Sequence, residues 1–497
     1  MTEFPWHNKY PQEVPKEIDP NKYGSLLDFL DDCVDRFGDK PAFENMGVEL
    51  TFKELDEQST ALANYLAQKT SLKKGDRIAL QMPNVLQYPI SLFGVLKAGM
   101  IVVNTNPQYK PSEMEHQFND SEAKGIIILS TFAFKLEEVL QHCSVKEVVI
   151  AEVGDMLGTI KGAIVDFMVK RVKKMVPDYN LPGAINFGDA LKEGKKLNYK
   201  RPELTNSDLA LLQYTGGTTG VAKGAALSHR NLIANIEQVA AWMKPSLIDG
   251  EEVTITPLPL YHVFALTVNC FGMMRIGAKS VLITDPRKMK DFIKVLKSTP
   301  FTVITGINTL FNGLLHQPDF KEVDFSSLKV AVSGGMALQQ AVAERWKSVT
   351  GNDIVEGYGL SETSPLLTCN PINGTSKLGT IGLPVPSTEI KIIGDDGEEK
   401  LVGDFGEIWA KGPQVMTGYW QNQKETDIVM AGDWFKTGDI AFFDSEGFIK
   451  IVDRKKEMIN VSGMKVFPNE VEDVIAKLDG VLEVGVIGVA HKTSGEV

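Results

Sequence analysis

Short apolar runs alternate with stretches of helical character from about residue 28 to residue 282. The runs at 77–80 and 125–129 have the length and aliphatic content of buried strands, and similar runs follow at 301–304 and 328–332. Strands that alternate with helices form parallel sheets covered by helices. The pattern therefore predicts an α/β protein built from layered sheets.

The pattern of strands and glycines changes in the last quarter of the chain. After residue 379, short strands separated by glycines are typical of a small β-barrel, and the charged run DRKK at 453–456 marks a junction. A chain of 497 residues is also too long for one compact core. We predict a large multi-subdomain N-terminal domain over 1–452, with two layered α/β sheets and a β-barrel over about 379–452, and a small α+β C-terminal domain over 453–497.

The C-terminal unit is short. Pro468 predicts a helix start, and the apolar run at 484–489 predicts a strand. A unit of about 45 residues has too little material to bury its own core. We therefore expect the C-terminal domain to be incomplete at Val497.

Charge, cysteines and hydropathy restrict the functional classes. The formal net charge of -12 argues against general nucleic-acid binding. The four cysteines are far apart and form no C-x-x-C pair, so they indicate neither a zinc site nor a disulfide framework and favour the reducing cytoplasm. No apolar run has the length of a transmembrane helix.

One segment leaves membrane association open. Ile164, Met168, Val172 and Met175 form an apolar stripe at helical spacing, with the basic residues of 170–174 on the other side. Such a helix either lies on the anionic cytoplasmic face of a membrane or packs on the protein core as an ordinary surface helix. The sequence alone supports both interpretations.

Residues 214–225, YTGGTTGVAKGA, favour neither a helix nor a strand. Apolar runs on both sides predict strands, and Ser228 predicts the N-cap of a following helix. Backbone N–H groups, threonine hydroxyls and the Lys223 ammonium together suit a ligand with several negative oxygens. The glycine spacing does not match G-x-x-x-x-G-K-[ST], so this is a phosphate loop of another kind, with a plain hairpin tip as the alternative.

Four further stretches accompany this loop. They are PLYHVFAL at 259–266, SGGMAL at 333–338, EGYGLSETSP at 356–365 and WFKTGDIAFFDSEGFIKIVDRKK at 434–456. Together, and in this order, the five motifs resemble those of the adenylate-forming (AMP-binding) superfamily, which includes acyl-CoA synthetases, luciferases and peptide-synthetase adenylation domains. The resemblance runs from end to end and is strongest to the bacterial long-chain fatty acid–CoA ligases.

The resemblance implies a two-step reaction. The carboxylate of a medium- or long-chain fatty acid attacks the α-phosphorus of ATP, giving acyl-adenylate and pyrophosphate, and coenzyme A then displaces AMP. No protein nucleophile is needed, because the protein aligns two anions and offsets their charge together with Mg²⁺. The alternatives are a fatty acyl-AMP ligase that transfers to a carrier protein, or a non-catalytic nucleotide- and lipid-binding protein.

The resemblance also implies roles for individual residues. Thr215, Lys223, His262 and Glu362 are expected to be catalytic, with Glu362 and Thr215 as the Mg²⁺ ligands. The expected nucleotide contacts are Thr215, Gly216, Gly217, Thr218, Thr219, Gly220, Lys223, Ser333, Gly334, Gly335, Glu356, Gly357, Tyr358, Gly359, Ser361, Asp439, Arg454 and Lys456.

An acyl tunnel follows from the same comparison. Short-chain relatives carry a bulky tryptophan where this chain has Gly359, so its absence predicts an open tunnel. The expected lining is His262, Val263, Phe264, Leu266, Gly306, Ile307, Gly359 and Leu360. Some long-chain relatives gate the tunnel with a tryptophan where this chain has Leu266, so the resemblance does not extend to that gate.

The resemblance also bears on the end of the chain and on assembly. In the family, a lysine that assists adenylate formation lies beyond the position of Val497, so we expect this chain to bind ATP and fatty acid but to adenylate slowly. Asp453 and the loop at 461–464 would move for the second half-reaction. A homodimer is implied by the resemblance alone.

Overall fold

The computed structural model describes residues 4–215, 221–461, 464–475, 478, 480–481, 484–491 and 495–497. Two large mixed sheets dominate this part of the chain, and each has six neighbouring parallel strands, with antiparallel strands on both sides in the larger sheet and on one side in the second. Alternating strands and helices build both sheets. The predicted α/β class with layered sheets is confirmed.

The larger sheet has nine strands. Its parallel part begins at Pro41–Asn45 and ends at Ile354–Gly359. Its order across the sheet is Leu383–Pro384, Leu366–Cys369, Ile354–Gly359, Val330–Ser333, Val303–Gly306, Val253–Thr256, Lys279–Leu282, Pro41–Asn45 and Val48–Thr51. The strand predicted at 301–304 begins two residues later, because Phe301 packs into the core before strand pairing starts.

The second sheet has eight strands. A hairpin formed by Leu209–Thr215 and Lys223–Ser228 lies near one edge. The order across the sheet is Gly418–Tyr419, Lys223–Ser228, Leu209–Thr215, Ile101–Asn104, Arg77–Gln81, Ala123–Leu129, Glu147–Ala151 and Ile185–Asn186. Each predicted strand of this sheet is confirmed.

Helices cover both sheets. Every residue of Gln87–Lys97 is buried, as expected for a helix that is apolar on all sides and lies between layers. Ser228 caps His229–Met243 by accepting a hydrogen bond from the backbone of Asn231, which confirms the predicted helix start. The other helices are Leu26–Phe37, Phe52–Lys69, Pro111–Asp120, Ala133–Val139, Thr159–Phe167, Phe187–Gly194, Val263–Ala265, Met273–Arg275, Met289–Ser298, Asn308–Leu315, Gln340–Thr350, Gln423–Val429 and Pro468–Ile475, with π-helical turns at Met168–Val172 and Leu266–Gly272 and 3₁₀ turns at Pro5–Lys9, Ser130–Phe132, Leu140–His142, Pro318–Glu322 and Ser361–Thr363.

A five-stranded antiparallel sheet occupies the region predicted as a β-barrel. Its pairings run Glu389–Ile393, Gly406–Lys411, Trp434–Phe443 and Met430–Ala431, with Ile449–Arg454 also paired to Trp434–Phe443. These recorded pairings form an open order rather than a closed ring. The division of the chain at residue 452 stays a prediction.

The last part of the chain forms a small four-stranded sheet. Met464–Val466, Ile459–Val461, Gly495–Glu496 and Ala490–His491 pair in this order. The strand predicted at 484–489 is not assigned as a strand, although Val489 exchanges two backbone hydrogen bonds with Val497 beside the pair formed by Ala490 and Glu496. Ile487 and Val489 are exposed. Within the described ranges, no helix has both the length and the apolar character needed to cross a membrane.

Candidate active site

A cavity of about 830 Å³ lies where the carboxyl ends of strands from both sheets meet. Thr215 ends one strand of the second sheet, and Gly359 ends a strand of the larger sheet. Gly334 directly follows the strand Val330–Ser333. Side chains and backbone groups at these strand ends face a shared crevice, which is the usual ligand position in open α/β sheets.

The predicted phosphate loop lies at the tip of a hairpin. Thr215 pairs with Lys223 across the two strands, so both stand at the base of the loop and line the cavity. Gly216, Gly217, Thr218, Thr219 and Gly220 lie outside the described residues. The hairpin thus presents one hydroxyl and one ammonium to the cavity at adjacent positions.

Side chains of the segment 418–429 contact two of the predicted catalytic residues, Glu362 and Lys223. The Tyr419 hydroxyl donates a hydrogen bond of 2.7 Å to the Glu362 carboxylate. The Lys223 ammonium lies 5.2 Å from the centre of the Tyr419 ring and forms an ion pair with Glu425. Sequence analysis missed Tyr419 and Glu425, because the segment carries no glycine-rich or acidic motif that would indicate a ligand site.

Several contacts fix the position of this segment. Gly418–Tyr419 pairs with the strand that begins at Lys223, and Asn422 caps the helix that carries Glu425. Burial, and then the neighbouring Glu362 carboxylate, raise the pKa of Tyr419 well above its usual value. Tyr419 therefore remains a hydrogen-bond donor throughout the physiological pH range.

Glu362 has the properties of a cation ligand. It lies in a 3₁₀ turn that the neighbouring backbone fixes, and its side chain is buried at the cavity wall. A buried carboxylate with a hydroxyl such as that of Thr215 at the same cavity supplies hard oxygen ligands. These residues fit Mg²⁺, which usually takes few protein ligands and completes its shell with phosphates and water.

Asp439, Tyr358 and Arg454 form a second polar group in the cavity. The Tyr358 hydroxyl donates a hydrogen bond of 2.6 Å to Asp439, and the Arg454 guanidinium lies 3.5 Å from the other carboxylate oxygen. Asp439 and Arg454 are paired across neighbouring strands, which fixes this geometry. Burial raises the pKa of Asp439, while the Tyr358 hydrogen bond and the Arg454 charge oppose that rise.

The glycine-rich stretches bring backbone to the cavity wall. Gly335 has φ of +79°, in the left-handed region that favours glycine, and a side chain on Gly334 would contact the Phe264 ring. Gly357 and Ser361 also line the cavity. Main-chain groups can therefore approach a ligand closely at these positions.

Two of the predicted nucleotide contacts lie behind the cavity wall. Glu356 is buried and accepts hydrogen bonds from the backbone of Leu338 and Gly379, so it stabilises the loops that carry the site. The Ser333 hydroxyl is buried and has no hydrogen-bond partner among the described residues. Neither side chain belongs to the cavity lining.

His262 stands between the polar and apolar parts of the cavity. His262 lines the cavity and its side chain is exposed there, while partial desolvation by the surrounding protein lowers its pKa. Its Nδ1 atom accepts a long hydrogen bond of 3.5 Å from the backbone of Phe264. The ring is therefore neutral at neutral pH, with Nε2 available to donate.

The apolar part of the cavity extends between the helix His229–Met243 and the larger sheet. Strand pairing places Leu366 opposite Gly359 and Cys369 opposite Gly357, so the wall runs away from Glu362 in the order Leu366, Cys369, Ile372. Its apolar lining consists of Val239, Trp242, Met243, Val263, Phe264, Val268, Val332, Leu360, Leu366, Cys369 and Ile372.

Trp242 closes the far part of this wall. Its indole N–H donates to the carbonyl of Asn370 at 3.0 Å, and the Tyr10 ring packs edge-on against it at 5.2 Å. Sequence analysis missed Trp242 and Ile372, because no motif contains them. Trp242 lies in the apolar helix His229–Met243, a pattern that also predicts ordinary core packing, and Ile372 lies in a loop with no periodic pattern.

The predicted tunnel residues divide into two groups. His262, Val263, Phe264, Gly359 and Leu360 line the cavity. Leu266, Gly306 and Ile307 do not belong to its lining, since Leu266 lies in a π-helical turn directed into the core, and the Phe311 ring packs against Gly306. Ile307 packs between two core clusters beside Gly335.

The local backbone also explains why residue 359 is a glycine. A side-chain Cβ there would approach the carbonyl oxygen of Pro365 to 1.9 Å. Any larger residue would therefore displace the turn that carries Glu362. The predicted nucleotide contacts that line the cavity are Thr215, Lys223, Gly334, Gly335, Gly357, Tyr358, Gly359, Ser361, Asp439, Arg454 and Lys456.

Comparison with known proteins agrees with this geometry. The family model described as "AMP-binding enzyme" matches residues 30–420. A long-chain-fatty-acid–CoA ligase of Escherichia coli O6:H1 is 54% identical over 491 residues, covering 99% of this chain and 88% of that protein.

Solved structures give the same result. The anthranilate CoA ligase AuaEII in complex with anthranoyl-AMP has a TM-score of 0.83 at 24% identity, covering 96% of this chain and 86% of that one, and shows the shared fold. ATP-bound MatB from Rhodopseudomonas palustris has a TM-score of 0.80 at 26% identity, covering 94% and 86%. The chain therefore belongs to the AMP-binding enzyme family.

Proposed function

We propose that this chain is an AMP-forming long-chain fatty acid–CoA ligase, which converts a medium- or long-chain fatty acid, ATP and coenzyme A to fatty acyl-CoA, AMP and pyrophosphate. One observation carries the proposal: a single cavity joins a polar end, with Lys223, Glu362 and Asp439, to a long apolar end. The identity of over half to a ligase with this substrate class supports the same conclusion.

The first step is attack of the acid carboxylate on the α-phosphorus of ATP. A bond forms between a carboxylate oxygen and the α-phosphorus, giving the acyl-adenylate, while the bond from the α-phosphorus to the bridging oxygen of pyrophosphate breaks. The protein supplies alignment of two anions rather than a nucleophile of its own. Coenzyme A thiol then attacks the acyl carbon, AMP leaves and the thiol proton passes to solvent.

Lys223 and Thr215 are proposed to hold the β and γ phosphates. Because Lys223 is paired with Glu425, phosphate binding exchanges that partner for a more highly charged one. Glu362 and Thr215 would hold Mg²⁺, and the bound ion would offset the repulsion between the carboxylate and the phosphates. Tyr419 orients the Glu362 carboxylate for this role.

The nucleoside is proposed to bind at the other polar group. Asp439 would accept hydrogen bonds from both ribose hydroxyls, Arg454 would donate to them, and the Tyr358 ring would stack on adenine. The hydrogen bond from Tyr358 to Asp439 links the two contacts, so ribose and adenine are positioned by one rigid unit. Lys456 is proposed as a further cation near the adenylate.

His262 is proposed to contact the acid carboxylate near the reacting phosphorus. A neutral ring that donates from Nε2 can orient an anionic oxygen without adding a fixed charge. The apolar lining beyond His262 then takes the hydrocarbon chain, whose transfer from water is worth about 0.8 kcal/mol per methylene. Chain length is therefore set by how far the lining stays open.

Location and assembly complete the proposal. We propose a cytoplasmic protein that associates peripherally with the cytoplasmic face of the membrane. A homodimer stays a prediction, because the single chain offers no contact that tests it.

The decisive experiment is fatty-acid-dependent release of pyrophosphate from ATP with Mg²⁺, with and without coenzyme A. Acids from acetate to oleate are compared, with formation of thioester measured in parallel. Release that rises with chain length and yields acyl-CoA supports the ligase. Release without thioester would instead favour transfer to a carrier protein, and no release with any acid would refute the proposal.

A further inference from the structure

A helix at the edge of the second sheet exposes an apolar stripe. Thr159–Phe167 continues into the π-helical turn Met168–Val172. Ile160, Ile164 and Phe167 are 79%, 58% and 61% exposed, although they recur at helical spacing on one side. Met168, Val172 and Met175 extend the exposed stripe, which an ordinary surface helix would bury.

The opposite side of the same helix is already in contact with the protein. Val165 and Val169 pack against the main hydrophobic core, and Asp166 accepts a hydrogen bond of 2.8 Å from the backbone of Gly154. Gly162 packs so closely against Gly154 that a Cβ would lie 2.4 Å from its carbonyl oxygen. The helix is therefore fixed by one side and cannot bury the stripe by rotating.

Basic residues flank the stripe. Residues 159–175 contain five basic side chains and one acidic side chain, in a chain whose net charge is -12. Lys170 pairs with Glu152, whereas Arg171, Lys173 and Lys174 are exposed and have no ion pair within the part of the chain that the structure describes. Positive charge is thus concentrated beside exposed apolar surface.

A second element contributes to this surface. Lys161 donates a hydrogen bond to the carbonyl of Met46, at the tip of the hairpin formed by Pro41–Asn45 and Val48–Thr51. Met46 is itself exposed and has φ of +52°. The exposed apolar side chains therefore come from two segments that are over a hundred residues apart in the sequence.

We propose that this surface, formed by Met46 and the exposed side chains of 159–175, docks on an anionic lipid bilayer. A helix with apolar side chains on one face and flanking basic groups lies in the interface between headgroups and acyl chains, and anionic headgroups attract the basic groups. Charge complementarity favours a bilayer over a symmetric contact with a second copy of this chain, because that contact would bring the same positive charge of both copies together.

The position of the surface relates it to the active-site cavity. The strand Glu147–Ala151 leads into this helix from the carboxyl edge of its sheet, the edge at which Thr215 reaches the cavity. Four strand spacings separate the two strands, or roughly 19 Å. If the proposed function holds, docking brings the cavity close to the bilayer in which long-chain acids dissolve.

Sedimentation with lipid vesicles tests the proposal. Vesicles of phosphatidylcholine alone are compared with vesicles of equal parts phosphatidylcholine and phosphatidylglycerol, at low and high salt. The unaltered chain should bind the anionic vesicles preferentially, and salt should weaken the binding. No binding that depends on phosphatidylglycerol would overturn the proposal.

Two variants with matched controls locate the surface. Ile164→Ser with Phe167→Ser removes apolar contact, and its control is Leu401→Ser with Val402→Ser, a pair that is 78% and 64% exposed elsewhere. The charge variant combines Arg171→Glu, Lys173→Glu and Lys174→Glu. Its control applies the same charge change to three exposed lysines, Lys244→Glu, Lys290→Glu and Lys321→Glu.

Each stripe variant should lower vesicle affinity at least about tenfold, because the charge variant reverses the attraction to anionic headgroups and the apolar variant removes contact with the acyl chains. Both controls should bind as the unaltered chain does. Equal loss in the controls would overturn the proposal, as would self-association that the Ile164→Ser, Phe167→Ser variant abolishes without any vesicle binding.

Activity separates this inference from the proposed function. With octanoate in solution, the stripe variants should release pyrophosphate at the unaltered rate, which also shows that they fold. With oleate supplied in anionic vesicles, they should be slower than their controls. If the unaltered chain releases no pyrophosphate with octanoate, the proposed ligase activity is contradicted. If the unaltered chain, the stripe variants and their controls use vesicle-borne oleate equally, the docking surface is contradicted.

Discussion

The two ends of the cavity are built in different ways. At the polar end, Thr215, Glu362 and Asp439 each lie in a short motif, with Thr215 and Glu362 at or just after the end of a strand and Asp439 within the strand Trp434–Phe443. At the apolar end, Trp242 and Ile372 come from a helix and a loop with no motif, and they meet only because the helix packs on the sheet.

This difference reflects what each end must do. Phosphates, ribose and a metal ion require particular atoms at particular positions, so the residue types and their spacing are restricted. A hydrocarbon chain requires only an apolar volume, which many combinations of side chains can enclose. Short local motifs therefore determine the type of reaction, whereas residues from distant parts of the sequence together determine the preferred chain length.

Glu362→Gln should have the largest effect and should not discriminate between acids. The change keeps the size of the side chain and its contact with Tyr419 but removes the charge proposed to hold Mg²⁺. We expect pyrophosphate release to fall by about 10²–10³ at every chain length, as for loss of one group that stabilises developing charge. The measurement is kcat across acids from octanoate to oleate.

Glu252→Gln is the matched control for this change. Glu252 is a buried carboxylate that pairs with Lys329, and it lies just before the strand Val253–Thr256, at the edge of the larger sheet opposite the cavity and outside the cavity lining. It should leave kcat close to the unaltered value. If Glu362→Gln lowered kcat only with long acids, the polar end would also determine chain-length preference, and the contrast between the two ends of the cavity would be wrong.

Two substitutions in the apolar wall should instead change chain-length preference. Leu366 and Ile372 are both partly exposed to the cavity, with Leu366 near the reacting end and Ile372 near the far end. Leu366→Trp should reject long and medium acids, whereas Ile372→Trp should reject only the longest. Each excluded methylene is worth about fourfold, so exclusion of three would lower kcat/KM about 50-fold.

The ratio of kcat/KM values for oleate and octanoate measures this effect. Octanoate activity of Ile372→Trp serves as the internal control for folding and for the polar end. Identical ratios in both variants would show that the acyl chain does not follow this wall.

The same contrast explains which predictions the sequence supported. The strands beside the motifs and the helix after Ser228 are where periodicity and capping predict them, because those signals are local. Leu266 was predicted to line the tunnel from the family resemblance, but the π-helical turn directs it into the core. Ile372 could not be predicted, since only tertiary packing brings it to the cavity.

Tyr419→Phe would show that the polar end also depends on a distant segment. Tyr419 lies 57 positions from Glu362 and reaches it through strand pairing rather than through a motif. Loss of its hydrogen bond to a charged group should lower kcat/KM for pyrophosphate release about tenfold. The measurement compares Tyr419→Phe with Glu362→Gln and with the double variant.

The double variant decides whether Tyr419 acts through Glu362. If it does, the combined loss should equal that of Glu362→Gln alone, because the two changes remove one unit. Losses that multiply would mean that Tyr419 contributes separately, for example through its ring beside Lys223.

The smallest effect concerns the pH dependence of nucleotide binding. Burial raises the pKa of Asp439, so its carboxylate gains a proton at a higher pH than an ordinary aspartate. A protonated Asp439 accepts hydrogen bonds from ribose hydroxyls less well, and AMP affinity should therefore decline on mild acidification.

The raised pKa of Asp439 itself favours folding at low pH, because the folded chain then binds more protons than the unfolded chain. Protonation of Asp439 does not promote unfolding, so the lower AMP affinity would arise in the binding site. Titration calorimetry with AMP at successive pH values measures it, and Asp439→Asn, which cannot titrate, should bind weakly with little pH dependence over the same range.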